Sequence, residues 1–451
     1  MAVRALALSL LLAASAGCVS PVGIRRVDAR QVHHTLTSNV LTTGEPSVPT
    51  RQLVQRMGLG TRFERDPEAA VRAIEEAEPT PNRVFALAEL SFWLGARSED
   101  RGRYLAAAVY AWAYLFPPEG EPDPEPTDPR YRLACDLYNR GLTEGIDPRK
   151  LAADTWAGER VELSFGSLDI TFDRNELEWG GWRLGDFVPA AYIEVRGLRN
   201  RYRFPGIGAP LVASLVEPIE SSWAARRRAH IPRRLKVPTT AVLHIEQVHA
   251  AHGSGRLEAR LELITQDESR VVEIEGREFP LEFETSSALA STLEGPPIWL
   301  EELRSFFYGG LLPRLTPAPE DQILFLQPYR PGRIPVVLVH GTASSPMRWA
   351  ELENELQSDP FIWDRYQIWL YRYDSGNAVG YSAGVLREAL RATVERLDPT
   401  GRDAALRQMV LVGHSQGGLL AKLTVVDSGD RFWRNISKKP FAQMNLEPDE
   451  R

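Results

Sequence analysis

Apolar positions along the 451-residue chain change their period several times, and each change marks a new kind of element. Residues 19–60 show no sustained period and are rich in Thr, Val and Pro, which predicts a tether with short ordered pieces. A helical period follows over 61–155. Pro81 opens a run in which Val84, Leu87, Leu90 and Leu94 recur at steps of three and four. Residues 104–116 are rich in alanine and aromatics, which suits close helix packing. Asp128-Pro129 reads as the cap and first residue of a third helix carrying Leu133, Leu137 and Leu142. The acidic, Pro-rich stretch 117–126 between the second and third helices cannot be helical. Cys135 falls on the third helix and reads as a small core residue.

Residues 156–318 form the next region, in which the period is two from Arg160 to about Glu284. Val161, Leu163 and Phe165 alternate, then Leu168, Ile170 and Phe172, then Leu257, Leu261 and Leu263, and finally Phe279, Leu281 and Phe283. This predicts a mostly antiparallel, β-rich accessory region. Residues 286–308 look helical again, apart from a break at Gly295-Pro296-Pro297. From 319 to 451 the pattern changes once more. Ile334-Pro335-Val336-Val337-Leu338-Val339 and Met409-Val410-Leu411-Val412 are unbroken apolar runs, the mark of buried parallel strands. Between them lie a strand over 366–373 and an amphipathic helix from about Tyr381, with Leu386, Leu390, Val394 and Leu397 on one face. Strands alternating with helices in this way predict an α/β sheet with parallel strands.

Composition narrows the partners. A net charge of −7 and a pI near 5.8 leave no electrostatic footprint for nucleic acid. The two cysteines, Cys18 and Cys135, exclude a disulfide scaffold and any zinc-finger spacing. His244, His249 and His252 are close in sequence, but no carboxylate stands at a ligand spacing, so separate strand and loop histidines are expected, with no metal. The basic stretch Arg226-Arg227-Arg228, continuing to Arg233-Arg234, reads as a solvated face; contact with anionic lipid headgroups is the sharper alternative. Small and aromatic residues in the helical segment are spaced much as in tetratricopeptide helix pairs, without a convincing repeat. A plain helical cap domain is therefore preferred to a partner-binding solenoid.

Residues 1–18 read as a targeting segment: Arg4 is the positive end, residues 6–14 the apolar run, and Ser15-Ala16-Gly17 the small-residue cleavage zone. Ser-Ala-Gly-Cys resembles a bacterial lipoprotein lipobox, with Ser15 where that motif usually has Leu, so ordinary signal-peptidase cleavage stays open. The resemblance implies that Cys18 is lipidated and anchors an exported protein to a membrane. Val19 after it resembles the sorting pattern for the outer membrane of Gram-negative bacteria.

The chemistry concentrates in Gly413-His414-Ser415-Gln416-Gly417-Gly418, which follows one apolar strand and precedes the helical stretch 419–426. Gly-x-Ser-x-Gly matters physically because the serine must stand on a very sharp strand-to-helix turn. Side chains two residues either side would collide, so glycine is needed at 413 and 417. Some 75 residues earlier, another apolar strand ends in His340-Gly341-Thr342. Together these motifs resemble the α/β-hydrolase superfamily, specifically lipases and esterases, over about residues 320–435. The resemblance implies a doubly wound parallel sheet and Ser415 as the nucleophile on a carboxylic ester or lipid. It also implies an oxyanion hole made by the Gln416 amide and that of Thr342 or a near neighbour, with no metal or organic cofactor. His340 is expected to pack under the oxyanion loop without reaching Ser415 Oγ.

In that superfamily the catalytic acid and histidine follow the serine along the chain. None of the eight histidines lies beyond Ser415, and Asp427 and Asp430 fall at the end of the helix after the turn. Without a base a serine hydroxyl is a weak nucleophile. Two readings compete: a truncated membrane-tethered ester hydrolase, which the intact turn favours, or a catalytically silent scaffold or binding lipoprotein on the same fold.

Overall fold

The computed structural model describes residues 22–152, 158–249, 255–294, 322–427 and 429–444. The targeting segment with Cys18, His252 and the Gly295-Pro296-Pro297 break lie outside the described residues. The chain folds as a mixed α/β protein: a helical layer, a seven-stranded sheet and a smaller four-stranded sheet.

Helices come first: α1 (Ala29–Thr37), α2 (Val40–Thr43), α3 (Val48–Arg56), α4 (Gly60–Arg65), α5 (Pro67–Glu75), α6 (Pro81–Ser98), α7 (Arg101–Leu115), α8 (Pro129–Gly145) and α9 (Pro148–Leu151). Their starts follow local chemistry. Thr80 accepts from Arg83 N with Pro81 in the first turn, and Asp128 accepts from Arg130 N ahead of Pro129. Residues 85–95 of α6 are buried on every side, so the helix that the leucine spacing predicts is a core element. α7 packs between α6 and α8. A Cβ on Gly141 of α8 would meet Tyr104 O at 2.7 Å, so the close helix packing expected for 104–116 depends on small residues facing it.

Of the tether with short ordered pieces expected over 19–60, the pieces from Val40 onward are packed helices. Val40 and Val54 are buried, and the buried Glu89 carboxylate on α6 accepts from Val40 N, Ser47 N, Ser47 Oγ and Thr50 Oγ1. One acid on α6 thus satisfies donors from α2, from α3 and from the residue that precedes α3. A glutamate in an apolar run gives no such signal in sequence.

Strands β1 (Gly158–Leu163), β2 (Gly166–Phe172), β3 (Glu178–Trp179), β4 (Trp182–Pro189), β6 (Ala209–Pro218), β7 (Lys236–Glu246) and β8 (Arg256–Thr265) form the large sheet in the order β1-β2-β8-β7-β6-β4-β3. All neighbours are antiparallel except β2 and β8. The alternation of β8 buries Leu257, Ala259, Leu261 and Leu263. Two-stranded pairs join β5 (Arg203–Phe204) to β11 (Phe283–Glu284) and β9 (Val271–Ile274) to β10 (Arg277–Pro280). α10 (Ser222–Arg228) leaves Arg226 and Arg227 exposed and half-buries Arg228, whose Nη1 donates to Ile219 O, and α11 (Thr285–Leu293) follows β11. The helical layer is pinned to this sheet: Tyr138 Oη donates to Leu243 O and accepts from Leu243 N, both at 2.8 Å.

The second sheet has the order β12-β14-β13-β15, from β12 (Ile323–Phe325), β13 (Ile334–Val339), β14 (Tyr366–Tyr371) and β15 (Val410–Gly413). β13 runs parallel to β14 and β15, and β12 is antiparallel to β14. The crossovers carry α12 (Ala350–Ser358), α13 (Pro360–Arg365) and α14 (Val379–Leu397); α15 (Gln416–Val425) and α16 (Arg431–Ile436) follow β15. From β13 the chain moves outward to β14, then returns to lay β15 on the other side of β13. The sheet therefore has a topological switch point at the carboxyl ends of β13 and β15, where open α/β sheets bind ligands. Among the described residues β15 pairs only with β13, which leaves Val410 of its apolar run exposed. One apolar cluster runs from Val40 to Leu420 through all three layers. Among the described residues no helix is long and apolar enough to cross a membrane.

Candidate active site at the switch point

Both motifs singled out in the sequence meet at that switch point. β15 ends at Gly413, His414 N donates to Val339 O at 3.1 Å, and α15 begins at Gln416. Ser415 between them holds φ 54° and ψ −121°, a left-handed conformation that a non-glycine residue adopts only when its surroundings enforce it. The surroundings are backbone. A Cβ on Gly413 would sit 2.4 Å from Gly417 O, and one on Gly417 would sit 2.2 Å from Val339 O. The two glycines let α15 turn back tightly on β15 and against β13. The side chain of Ser415 is left exposed, its Oγ unbonded.

The loop after β13 lies against this turn. A Cβ on Gly341 would meet His414 Nδ1 at 2.9 Å and Ser415 Cβ at 3.1 Å, so Gly341 is the residue that allows the approach. Thr342 Oγ1 donates to Gln416 Oε1 at 2.6 Å, and Gln416 Nε2 donates to Ser375 O at 3.2 Å. Ser375 Oγ in turn accepts from Ala343 N at 2.9 Å. This chain of contacts ties the ends of β13, β14 and β15 into one frame. It also occupies the Ala343 amide, whereas the Thr342 and Gln416 amides donate to no described group. Ser375 was not foreseen, because nothing in a Ser-Gly-Asn loop signals a tertiary contact.

His340 is buried beneath the loop, stacked on Tyr373 with ring centroids 4.4 Å apart; Tyr373 Oη donates to His340 O at 2.8 Å. Burial pushes the Tyr373 phenol up to about 12, so this hydroxyl stays a donor. No imidazole among the described residues is hydrogen-bonded to Ser415 Oγ. Asp430 pairs with Arg434, and Asp427 accepts from Gly429 N, so neither faces the serine.

The remaining sequence candidates are dispersed. His244 Nε2 lies 2.6 Å from Glu262, and His249 Nε2 donates to Phe116 O at 2.7 Å. Among the described residues no group of three His, Cys, Asp or Glu side chains is placed to hold a metal ion. Cys135 is buried on α8 and its thiol is pushed up to about 12, chiefly by burial. A cavity of about 460 Å³, lined by Glu176, Arg260, Glu262 and Glu273 among others, opens on the large sheet, away from the serine. Desolvation pushes Glu176 up to about 7 there.

Fold and site together define a mixed α/β protein with an exposed serine on a strained strand-to-helix turn at a switch point. No family model matches the chain, and no curated protein or solved structure matches it either.

Proposed function

We propose that the chain is a serine hydrolase of the α/β-hydrolase type, acting on carboxylic esters. The observation that supports this most is the backbone of Ser415, held at φ 54° between β15 and α15 with its side chain exposed. A tight glycine-flanked turn with no such strain would serve a purely structural loop equally well. In the proposed reaction Ser415 Oγ attacks the carbonyl carbon, the ester C–O bond breaks, and the alcohol departs with the serine proton. Water then cleaves the acyl-serine and releases the acid. The amides of Thr342 and Gln416 hold the carbonyl oxygen as it becomes negative, in a frame fixed by the Thr342–Gln416–Ser375 contacts. The proton transfer needs an imidazole, and the resemblance places that group after the serine in chain order. A membrane anchor at Cys18 would put this chemistry beside lipid esters.

A second reading, a silent binding module on the same fold, is favoured by one observation: no described imidazole is bonded to Ser415. Turnover separates the two. The protein purified from its natural source should hydrolyse short p-nitrophenyl esters, and Ser415→Ala should lower kcat by about 10³-fold or more at unchanged fold. Equal turnover by the two proteins would reject the hydrolase reading.

A further inference from the structure

α1 is closed at both ends by its own sequence, yet it buries none of its nine residues. Asp28 starts the helix by accepting from Arg30 N at 2.6 Å. Ser38 ends it, its amide donating to His34 O at 2.9 Å and its hydroxyl at 2.6 Å. Every residue from Val22 to Thr37 is nevertheless exposed. A helix this short is marginal in water on propensity alone, and short helices in proteins persist by laying an apolar face on something.

Ala29, Val32 and Leu36 recur at steps of three and four and so share one face. Val32 is 45% and Leu36 65% exposed, and Val22, Ile24 and Val27 just ahead of the helix are exposed as well. Arg30 and His34, four residues apart, stand together on the far side, with His33 on the flank. Arg25 and Arg26 precede them. Asp28 is the only acid between Val22 and Thr37, and its carboxylate is engaged in the cap. Among the described residues Arg25, Arg26 and Arg30 have no ion-pair partner. In a chain of net charge −7 this segment is a basic island beside an aliphatic stripe.

Whatever covers α1 must offer an apolar medium to Val32 and Leu36 and negative charge to the arginines. A second copy meets the first demand and fails the second, because it brings the same cations together. One face of a nine-residue helix is also small beside the roughly 800 Å² that each partner buries in a stable protein interface. A bilayer with anionic headgroups meets both demands: the aliphatic side chains enter the acyl boundary while the guanidiniums stay among the phosphates. We propose that residues 22–37 form an interfacial segment, with α1 lying flat on a membrane surface that carries anionic lipid. This contact depends neither on acylation of Cys18 nor on the chemistry of Ser415, so its failure leaves the hydrolase reading standing.

The test is sedimentation of the whole protein with vesicles of phosphatidylglycerol mixed into phosphatidylcholine, against phosphatidylcholine alone. Cys18→Ala is carried throughout, so that no acyl chain at that position contributes. Binding to the anionic vesicles is expected to be about tenfold tighter or more. It should weaken about tenfold or more in Leu36→Asp, and again in the triple variant Arg25→Gln, Arg26→Gln, Arg30→Gln. Both variants should melt at the parent temperature, since the altered side chains are exposed. A fluorescent label localises the contact. Cys135 is buried, so a thiol introduced by Leu36→Cys or by Gln31→Cys takes the dye. The emission should shift to the blue on anionic vesicles at position 36 and stay unchanged at 31. Equal binding to the two vesicle types, or undiminished binding by both variants, would overturn the proposal. So would self-association without vesicles that Leu36→Asp abolishes, which assigns the face to a second copy. Variants that melt well below the parent would overturn it too, since α1 would then be packed against the protein.

Discussion

Ser415 holds a conformation that costs an L-residue about 1–3 kcal/mol, and the cost is set by the glycines around it. Ser415→Gly should relieve it, raising stability by up to about 1 kcal/mol in chemical denaturation while abolishing reaction at this position. Glu353 on α12 is a second residue with a readable energy. It is buried, with Gln357 Nε2 donating to it at 2.9 Å, and desolvation pushes its carboxyl from near 4.5 up to about 8. The folded pKa lies above the unfolded one, so ionisation opposes folding. Stability from this group is present below about 4.5 and is lost as pH rises through 8. Glu353→Gln should therefore match wild type at pH 4 and be more stable by a few kcal/mol at pH 9, measured by urea denaturation at both values. At this scale the sequence was legible where chemistry is local. The glycines at 413 and 417 announce the turn, but Ser375 and Tyr373 meet its surroundings only through tertiary packing.

Among the elements, α6 shows most clearly what periodicity leaves out. Val84, Leu87, Leu90 and Leu94 trace a stripe, yet residues 85–95 are buried all round because α7 and the preceding helices enclose the other face. Glu89 sits on that enclosed face and holds α2 and α3 through four donors. Glu89→Ala should destabilise by about 3 kcal/mol or more and expose residues 40–56 to limited proteolysis before the rest of the chain is cut. A thermal shift with peptide mapping checks both parts. β15 raises the complementary question. Its apolar run is that of a buried strand, and among the described residues it pairs only with β13. With Val410, Leu419 and Val425 exposed, this edge is adhesive. Val410→Lys should reduce concentration-dependent association seen by light scattering, at a stability cost under about 1 kcal/mol.

Across the whole molecule, the sequence yields the succession of helical, β-rich and α/β patterns, but not how they interlock. Tyr138 on α8 completing the backbone pairing of β7, and Phe325 N donating to His230 O at 2.8 Å, are long-range choices with no periodic trace. The strand order β12-β14-β13-β15 is of the same kind, and it is what turns two separate motifs, His340-Gly341-Thr342 and Gly413 to Gly417, into one candidate site. At that site Ser415 is proposed as the acyl-accepting nucleophile. Fluorophosphonate labelling of the protein from its natural source, mapped by mass spectrometry, tests it most directly. A single adduct on Ser415, lost in Ser415→Ala, is the expected result. A well-folded protein that stays unlabelled, or an adduct that persists in Ser415→Ala, would contradict it.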